Sequence, residues 1–177
     1  EARRVLVLAP HPDDDVISAG GTILHLIRNG CYVKVIYLTS GTRGPYSNER
    51  NNVMPVETEV REQEAFSVAS RIGMDIEFWR NDSKNFKINN ETVNRLRKAC
   101  SEVKPDCMFV PFLADDNDDH RRSIHLFYEA FKDIGKLDFE IWAYQVYSTV
   151  IPNVVVDITD VIDEKLKLIE IYRSQKK

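Results

Sequence analysis

Short apolar runs rich in β-branched residues alternate along this chain with longer stretches in which apolar positions recur every three or four residues. RVLVLAP, CYVKVIYLTS, IEFW and CMFVPF read as strands. VISAGGTILHLIRNG, VETEVREQEAFSVASRIG, ETVNRLRKACSEV and DDHRRSIHLFYEAFKDIG read as helices between and after them. That rhythm predicts an α/β fold, a mostly parallel sheet with helices on both faces. The tail differs: EIWAYQVYSTV and NVVVDIT are two strand-like runs with little room for a helix between them, so antiparallel or edge pairing is expected there before DVIDEKLKLIEIYRSQ resumes a helical period. Without repeats, low-complexity tracts or Pro/Gly-rich linkers, residues 1–177 are expected to form one domain. GTRGPYSNERNNVMP, rich in turn formers, is expected to be the least ordered segment.

Composition narrows the function classes. The chain of 177 residues is 43% hydrophobic and 29% charged, enough for a sizeable core. A net charge of −4 offers no basic stripe to a phosphate backbone, which disfavours sequence-independent nucleic-acid binding and favours a small or neutral substrate. No apolar stretch approaches the roughly 18 to 20 residues that cross a bilayer, and EARRVLVL has no signal-peptide core, so a soluble, cytoplasmic protein is expected. Cys31, Cys100 and Cys107 form neither a disulfide framework nor a zinc ribbon, which suits a reducing compartment.

Three polar clusters follow predicted strands: PHPDDD, TSGTRG and LADDNDDH. In open α/β sheets such strand ends are where ligands bind. One of Asp13, Asp14 and Asp15 is explained as the cap of the helix that begins near Val16. Three adjacent carboxylates repel one another, and the surplus points to a cation. His11 and Asp14 from this loop, with His120 beyond another strand, make a His/Asp/His set that leaves a fourth position open, which suits catalytic zinc and also other divalent metals. Asp13, beside a ligand but free itself, is placed to take a proton from bound water.

Each cluster has a plainer alternative. Asp115, Asp116, Asp118 and Asp119 would be solvated residues of a capping loop, and an EF-hand fails for want of the turn glycine and the twelfth-position glutamate. Thr39, Gly41 and Gly44 would be turn residues, and Arg43 is either a surface charge or a substrate contact. His25 and His125, within predicted helices, are expected at exposed or core-edge positions. No GxSxG elbow or activated cysteine supports nucleophilic catalysis.

APHPDDD resembles the AHPDDE signature of the zinc-dependent de-N-acetylases related to N-acetylglucosaminyl-phosphatidylinositol deacetylase, the PIG-L or LmbE-like family. LTSGTRG, REQEAFSVASRIG, PFLADDNDDHRR, VVVDIT and KLKLIEIYRSQ extend the likeness over nearly the whole chain. The resemblance implies a Rossmann-like fold, zinc on His11, Asp14 and His120, and Asp13 as general base for hydrolysis of an acetamide to acetate and a free amino sugar. The substrate would be an N-acetylglucosamine-type sugar, free or on a lipid, nucleotide or thiol-precursor aglycone; a homo-oligomer is compatible with the sequence.

Two departures stand out. The family's second loop commonly runs His-x-Asp-His, and its first histidine is here Asn117, which can donate a hydrogen bond to an oxyanion but cannot deliver a proton near neutral pH. Asp13 would then serve as acid as well as base, or turnover would be weak. The chain also stops at SQKK, where family members usually continue, so a trimmed domain or a short member with an open site is expected. Two other readings stay open: a metal- and sugar-binding module without fast turnover, and a nucleotide-binding regulatory α/β domain without metal.

Overall fold

A computed structural model of the chain describes residues 3–41, 58–83 and 85–175. RVLVLA forms β1 (Arg4–Ala9), buried at every position from Val5 onward. An apolar run without alternation is what a strand covered on both faces requires. β4 (Cys107–Pro111) is buried throughout, and β2 (Tyr32–Thr39) over most of its length. β3 (Asp75–Asn81) and β5 (Glu140–Tyr144), at the two edges, mix exposed and buried positions.

The strands lie in the order β3-β2-β1-β4-β5, and all of the pairings are parallel. This is the order of the first five strands of a doubly wound, Rossmann-like sheet. Val5, Val7 and Ala9 point to one face, where α1 (Asp14–Arg28), α2 (Thr58–Ile72) and α5 (Ile162–Ile169) cover them. Leu6 and Leu8 point to the other, under α3 (Asn90–Val103) and α4 (Asp118–Phe131). The period of two in the strand therefore sorts the helices into two layers. No helix among the described residues is long and apolar enough to cross a membrane.

The expected antiparallel pairing near the C-terminus does not form. β5 runs parallel to β4, from Cys107↔Glu140 to Pro111↔Tyr144. The reason lies in α4, a crossover helix between the two strands, which returns the chain to the same end of the sheet. NVVVDIT is no strand: it runs along the surface, with Val155 82% exposed, toward a short 3-10 turn (Thr159–Val161) that leads into α5. Its far end is pinned to α1, where Ile158 packs so closely on Gly21 that a Cβ there would lie 2.6 Å from Ile158 Cγ2.

The chain order of the sheet changes direction between β1 and β4. That crevice, at the carboxyl ends of the strands, is where the β1–α1 and β4–α4 loops meet.

Candidate metal centre

The β1–α1 loop packs three aspartates into three different environments. Asp13 occupies the N-cap position of α1 but makes no capping hydrogen bond, and its φ of 125° is a left-handed conformation that costs a non-glycine residue about 1–3 kcal/mol. The carboxylate is used elsewhere, with Oδ1 2.8 Å from Nη2 of Arg61 on α2. Asp14 Oδ2 accepts the backbone N–H of His11 at 2.9 Å and faces His11 Nδ1 at 3.0 Å. Asp15 accepts a hydrogen bond from the Tyr37 hydroxyl at 3.1 Å in the core. The capping role expected of one of these residues is therefore not what orders them.

In the β4–α4 loop, Asn117 is the N-cap of α4, its Oδ1 accepting the Asp119 N–H at 2.8 Å. Asp116 and Asp118 are exposed, as a capping loop predicts, but Asp115 and Asp119 are buried. Asp115 accepts N–H groups from Asn117 at 3.0 Å and Tyr147 at 3.2 Å, and its backbone carbonyl takes Nη1 of Arg121 at 2.6 Å. These bonds hold the loop so that His120, in the first turn of α4, is wholly buried and aims Nε2 at Asp14 Oδ2, 3.2 Å away.

The two loops bring one ring nitrogen of His11, one carboxylate oxygen of Asp14 and one ring nitrogen of His120 within 4.8 Å of one another. Neither nitrogen of His120 makes a well-directed hydrogen bond, although Asp14 and Asp115 carboxylates stand at 3.2 and 3.3 Å. A buried imidazole nitrogen left without a hydrogen bond and aimed at an anionic oxygen fits a cation between them, since native interiors rarely leave such groups unsatisfied. The donor set, two nitrogens and a carboxylate, suits zinc and other borderline divalent ions.

Electrostatics make the same point. Asp13, Asp14, Asp15, Asp115 and Asp119 are all buried, and Arg61 is the permanent cation paired among them. Each buried carboxylate costs several kcal/mol of desolvation, which one guanidinium cannot offset for the whole group. Burial pushes the Asp13 carboxyl up to about 6 against the pull of Arg61, and pushes Asp15 up to about 7 against the Tyr37 hydrogen bond. Burial disfavours charge on His11 too, but the Asp14 charge and the hydrogen bonds His11 donates to Asp119 and Asp14 outweigh it and raise the imidazole to about 9. For Asp14 burial is also overcome, by His11 first and then His120, and the group is held well below the usual carboxylate range.

Of the residues singled out in the sequence, His11, Asp13, Asp14 and His120 converge, and Asn117 caps the helix that carries His120. Arg43, Gly44 and the segment 45–55 lie outside the described residues. Thr39 and Gly41 do more than turn the chain. Thr39 Oγ1 donates to the Pro10 carbonyl at 3.0 Å, and the Gly41 carbonyl accepts Nη1 of Arg61 at 2.6 Å, so the end of β2 braces the metal loop. His25 contacts the Asp157 carbonyl and His125 pairs with Glu129, both away from the centre.

Arg61 and Tyr147 carry no mark in the sequence reading, and Asp115 and Asp119, expected there as solvated loop residues, are instead buried. Arg61 had a signal: it shares the inward face of α2 with Ala65, Val68 and Ala69, and an arginine buried there needs a carboxylate. Tyr147, whose ring centroid lies 5.3 Å from that of His120, comes from a segment with no local signature.

Known proteins are similar to this chain in sequence and fold. A relative named diacetylchitobiose deacetylase, from Thermococcus kodakarensis, is 29% identical over 99% of this chain and 71% of its own length. The structure of N,N'-diacetylchitobiose deacetylase from Pyrococcus horikoshii, in complex with an inhibitor, matches with a TM-score of 0.83 and 30% identity over 100% of this chain and 72% of that one. The 4-carboxy-2-hydroxymuconate hydratase of Pseudomonas putida has the same fold, with a TM-score of 0.80 and 25% identity over 97% of this chain and 80% of the hydratase. The family model for GlcNAc-PI de-N-acetylase covers residues 6–131, which include both metal loops, and the chain belongs to this PIG-L family.

Proposed function

We propose that the protein is a zinc-dependent hydrolase that removes the acetyl group from an N-acetylglucosamine-type amino sugar or glycoconjugate. The observation that carries this reading is the convergence of His11, Asp14 and His120 with the Asp13 carboxylate beside them, held by a buried arginine. The two similar deacetylases named for diacetylchitobiose favour an N-acetylated glucosamine as the substrate class.

His11, Asp14 and His120 would hold a divalent ion, and that ion would supply Lewis acidity to the site. Asp13 takes the proton as water attacks the acetamide carbonyl, and Arg61 keeps that carboxylate ionised and aimed. The Asn117 oxygen is committed to the Asp119 N–H, which leaves its amide N–H to donate to the developing oxyanion. When the C–N bond breaks, the departing amine needs a proton. Asp13, protonated in the first step and with a carboxyl tuned to about 6, is the group that returns it, because an amide cannot.

The test is acetate release by the zinc-reconstituted protein from N-acetylglucosamine, N,N'-diacetylchitobiose and N-acetylglucosaminyl conjugates. Because the family fold also serves a hydratase, acetate and the free amine are the products to measure rather than substrate loss. No acetate from any of these substrates, under conditions where a member carrying the second-loop histidine is active, sinks the proposal. A second reading, a metal- and sugar-binding domain with little turnover, is favoured by the capping role of Asn117. Asn117→His separates the two: a large gain in rate with unchanged zinc binding marks a weakened enzyme, and no gain marks a binding domain.

A further inference from the structure

Both histidines of the metal centre turn one ring nitrogen toward Asp14 and the opposite nitrogen toward a carboxylate of their own. His11 faces Asp14 Oδ2 with Nδ1 and Asp119 Oδ2 with Nε2, each at 3.0 Å. His120 does the reverse, with Nε2 3.2 Å from Asp14 Oδ2 and Nδ1 3.3 Å from Asp115 Oδ1. The two outward carboxylates are not loop charges that happen to lie near: Asp119 is 2% exposed and Asp115 1%, while their neighbours Asp116 and Asp118 are in solvent. Asp115 has no lysine or arginine partner among the described residues; its oxygens take the N–H groups of Asn117 and Tyr147 and face His120. A buried carboxylate so placed costs several kcal/mol unless it acts on the group it faces.

We propose that Asp119 and Asp115 are the positioning residues of the metal centre: Asp119 accepts the outward N–H of His11, and Asp115, 3.3 Å from His120 Nδ1 but short of a well-directed hydrogen bond, would accept that of His120 once an ion is bound, so that His11 presents its Nδ1 lone pair and His120 its Nε2 lone pair to the ion. This rests on the metal-centre reading above. A neutral imidazole carries one proton, and whichever nitrogen holds it cannot bind metal, so fixing the outward N–H fixes the ligand atom. The arrangement is asymmetric, one histidine using Nδ1 and the other Nε2. Asp115 has a second effect: the same carboxylate that orients His120 receives the Tyr147 N–H, so the ligand and the rim segment after β5 are held by one side chain. Asn117 contributes indirectly, since its cap fixes the turn that carries both Asp119 and His120.

The experiment measures zinc affinity by competition with a chromophoric chelator, alongside thermal melting of the zinc-free proteins, for wild type, Asp119→Asn, Asp119→Ala, Asp115→Asn and Asp115→Ala. The alanine variants are expected to bind zinc about 10–100-fold more weakly, the asparagine variants by less, because an amide oxygen still accepts the N–H. Affinities within twofold of wild type in all folded variants overturn the proposal. Should the alanine variants fail to fold, 15N-histidine NMR of the zinc-loaded wild type decides: protons on Nε2 of His11 and Nδ1 of His120 are expected, and the opposite tautomers overturn it. A wild type that binds no zinc is a different result, since it removes the metal reading itself.

Discussion

Arg61 Nη2 and Asp13 Oδ1 form an ion pair at 2.8 Å with both side chains buried, which links the first turn of α2 to the residue that opens α1. The other arm of the guanidinium is held by the Gly41 carbonyl at 2.6 Å. Both hands of the arginine are thus occupied, and the base it orients has little freedom.

Removing the arginine is expected to lower stability by about 3–5 kcal/mol, because it leaves a buried carboxylate unpaired. Its electrostatic effect has a sign. Arg61 lowers the Asp13 pKa, so Arg61→Ala raises it, and the acid limb of the pH–rate profile shifts to higher pH. Gly41→Ala reaches the same end by another route. Gly41 has φ 62°, and a Cβ there would collide with the Arg61 guanidinium, so the alanine variant is expected to reproduce the shift in milder form. A pH–rate profile and a thermal melt of each variant check both statements.

Asp13→Asn keeps the size of the side chain and removes the base. The rate is expected to fall by about 10²–10⁴, the usual worth of a general base, while zinc stays bound within a few-fold of wild type. Loss of zinc together with activity would move Asp13 into the ligand set instead.

The zinc-free protein is expected to lose stability as pH rises. His11 is raised from 6.5 to about 9, so its contribution is complete below pH 6.5 and disappears as pH passes about 9. Asp13 and Asp15, raised to about 6 and 7, act in the same direction at lower pH, because the folded state binds their protons more tightly than the unfolded chain does. Zinc competes with the His11 proton, so its affinity should increase from pH 7 to 9 with release of protons. Melting temperatures and calorimetric titrations in buffers of different ionisation heat measure both trends.

At Gly21 two effects oppose. Alanine would gain about 1 kcal/mol of helix propensity, but its Cβ would meet Cγ2, Cβ and Cδ1 of Ile158 at 2.6 to 2.9 Å. Overpacking of this kind typically costs about 1–3 kcal/mol, and the Ile158 Cβ cannot swing away, so Gly21→Ala is expected to be destabilising overall. Pairing it with Ile158→Ala should recover part of the loss in denaturant melts.

Much of the metal centre was legible because its parts are local. PHPDDD carries the two proposed ligands His11 and Asp14 and the proposed base Asp13 within one turn, and His120 follows a recognisable buried strand. The unbroken apolar character of VLVL and CMFV announced strands covered on both sides, and the helical periods between them announced parallel connections. NVVVDIT misled: its composition suits a strand, but among the described residues it joins no strand of the sheet and runs on into the turn before α5. Strand propensity describes a residue's fit to a pleated surface and does not supply the neighbouring strand.

By itself the sequence determined which residues could bind metal, that the sheet would be mostly parallel and layered by helices, and that Asn117 cannot deliver a proton. Only the tertiary structure decided which of the acidic residues matter and to whom they belong. Asp115 and Asp116 are neighbours with the same side chain, yet one is buried behind His120 and the other is in water. Arg61 is remote in sequence from Asp13 and reaches it because α2 packs on the same face of the sheet as α1. A carboxylate's role is set by what it faces once the chain has folded, because burial removes the solvent that would otherwise make every aspartate alike.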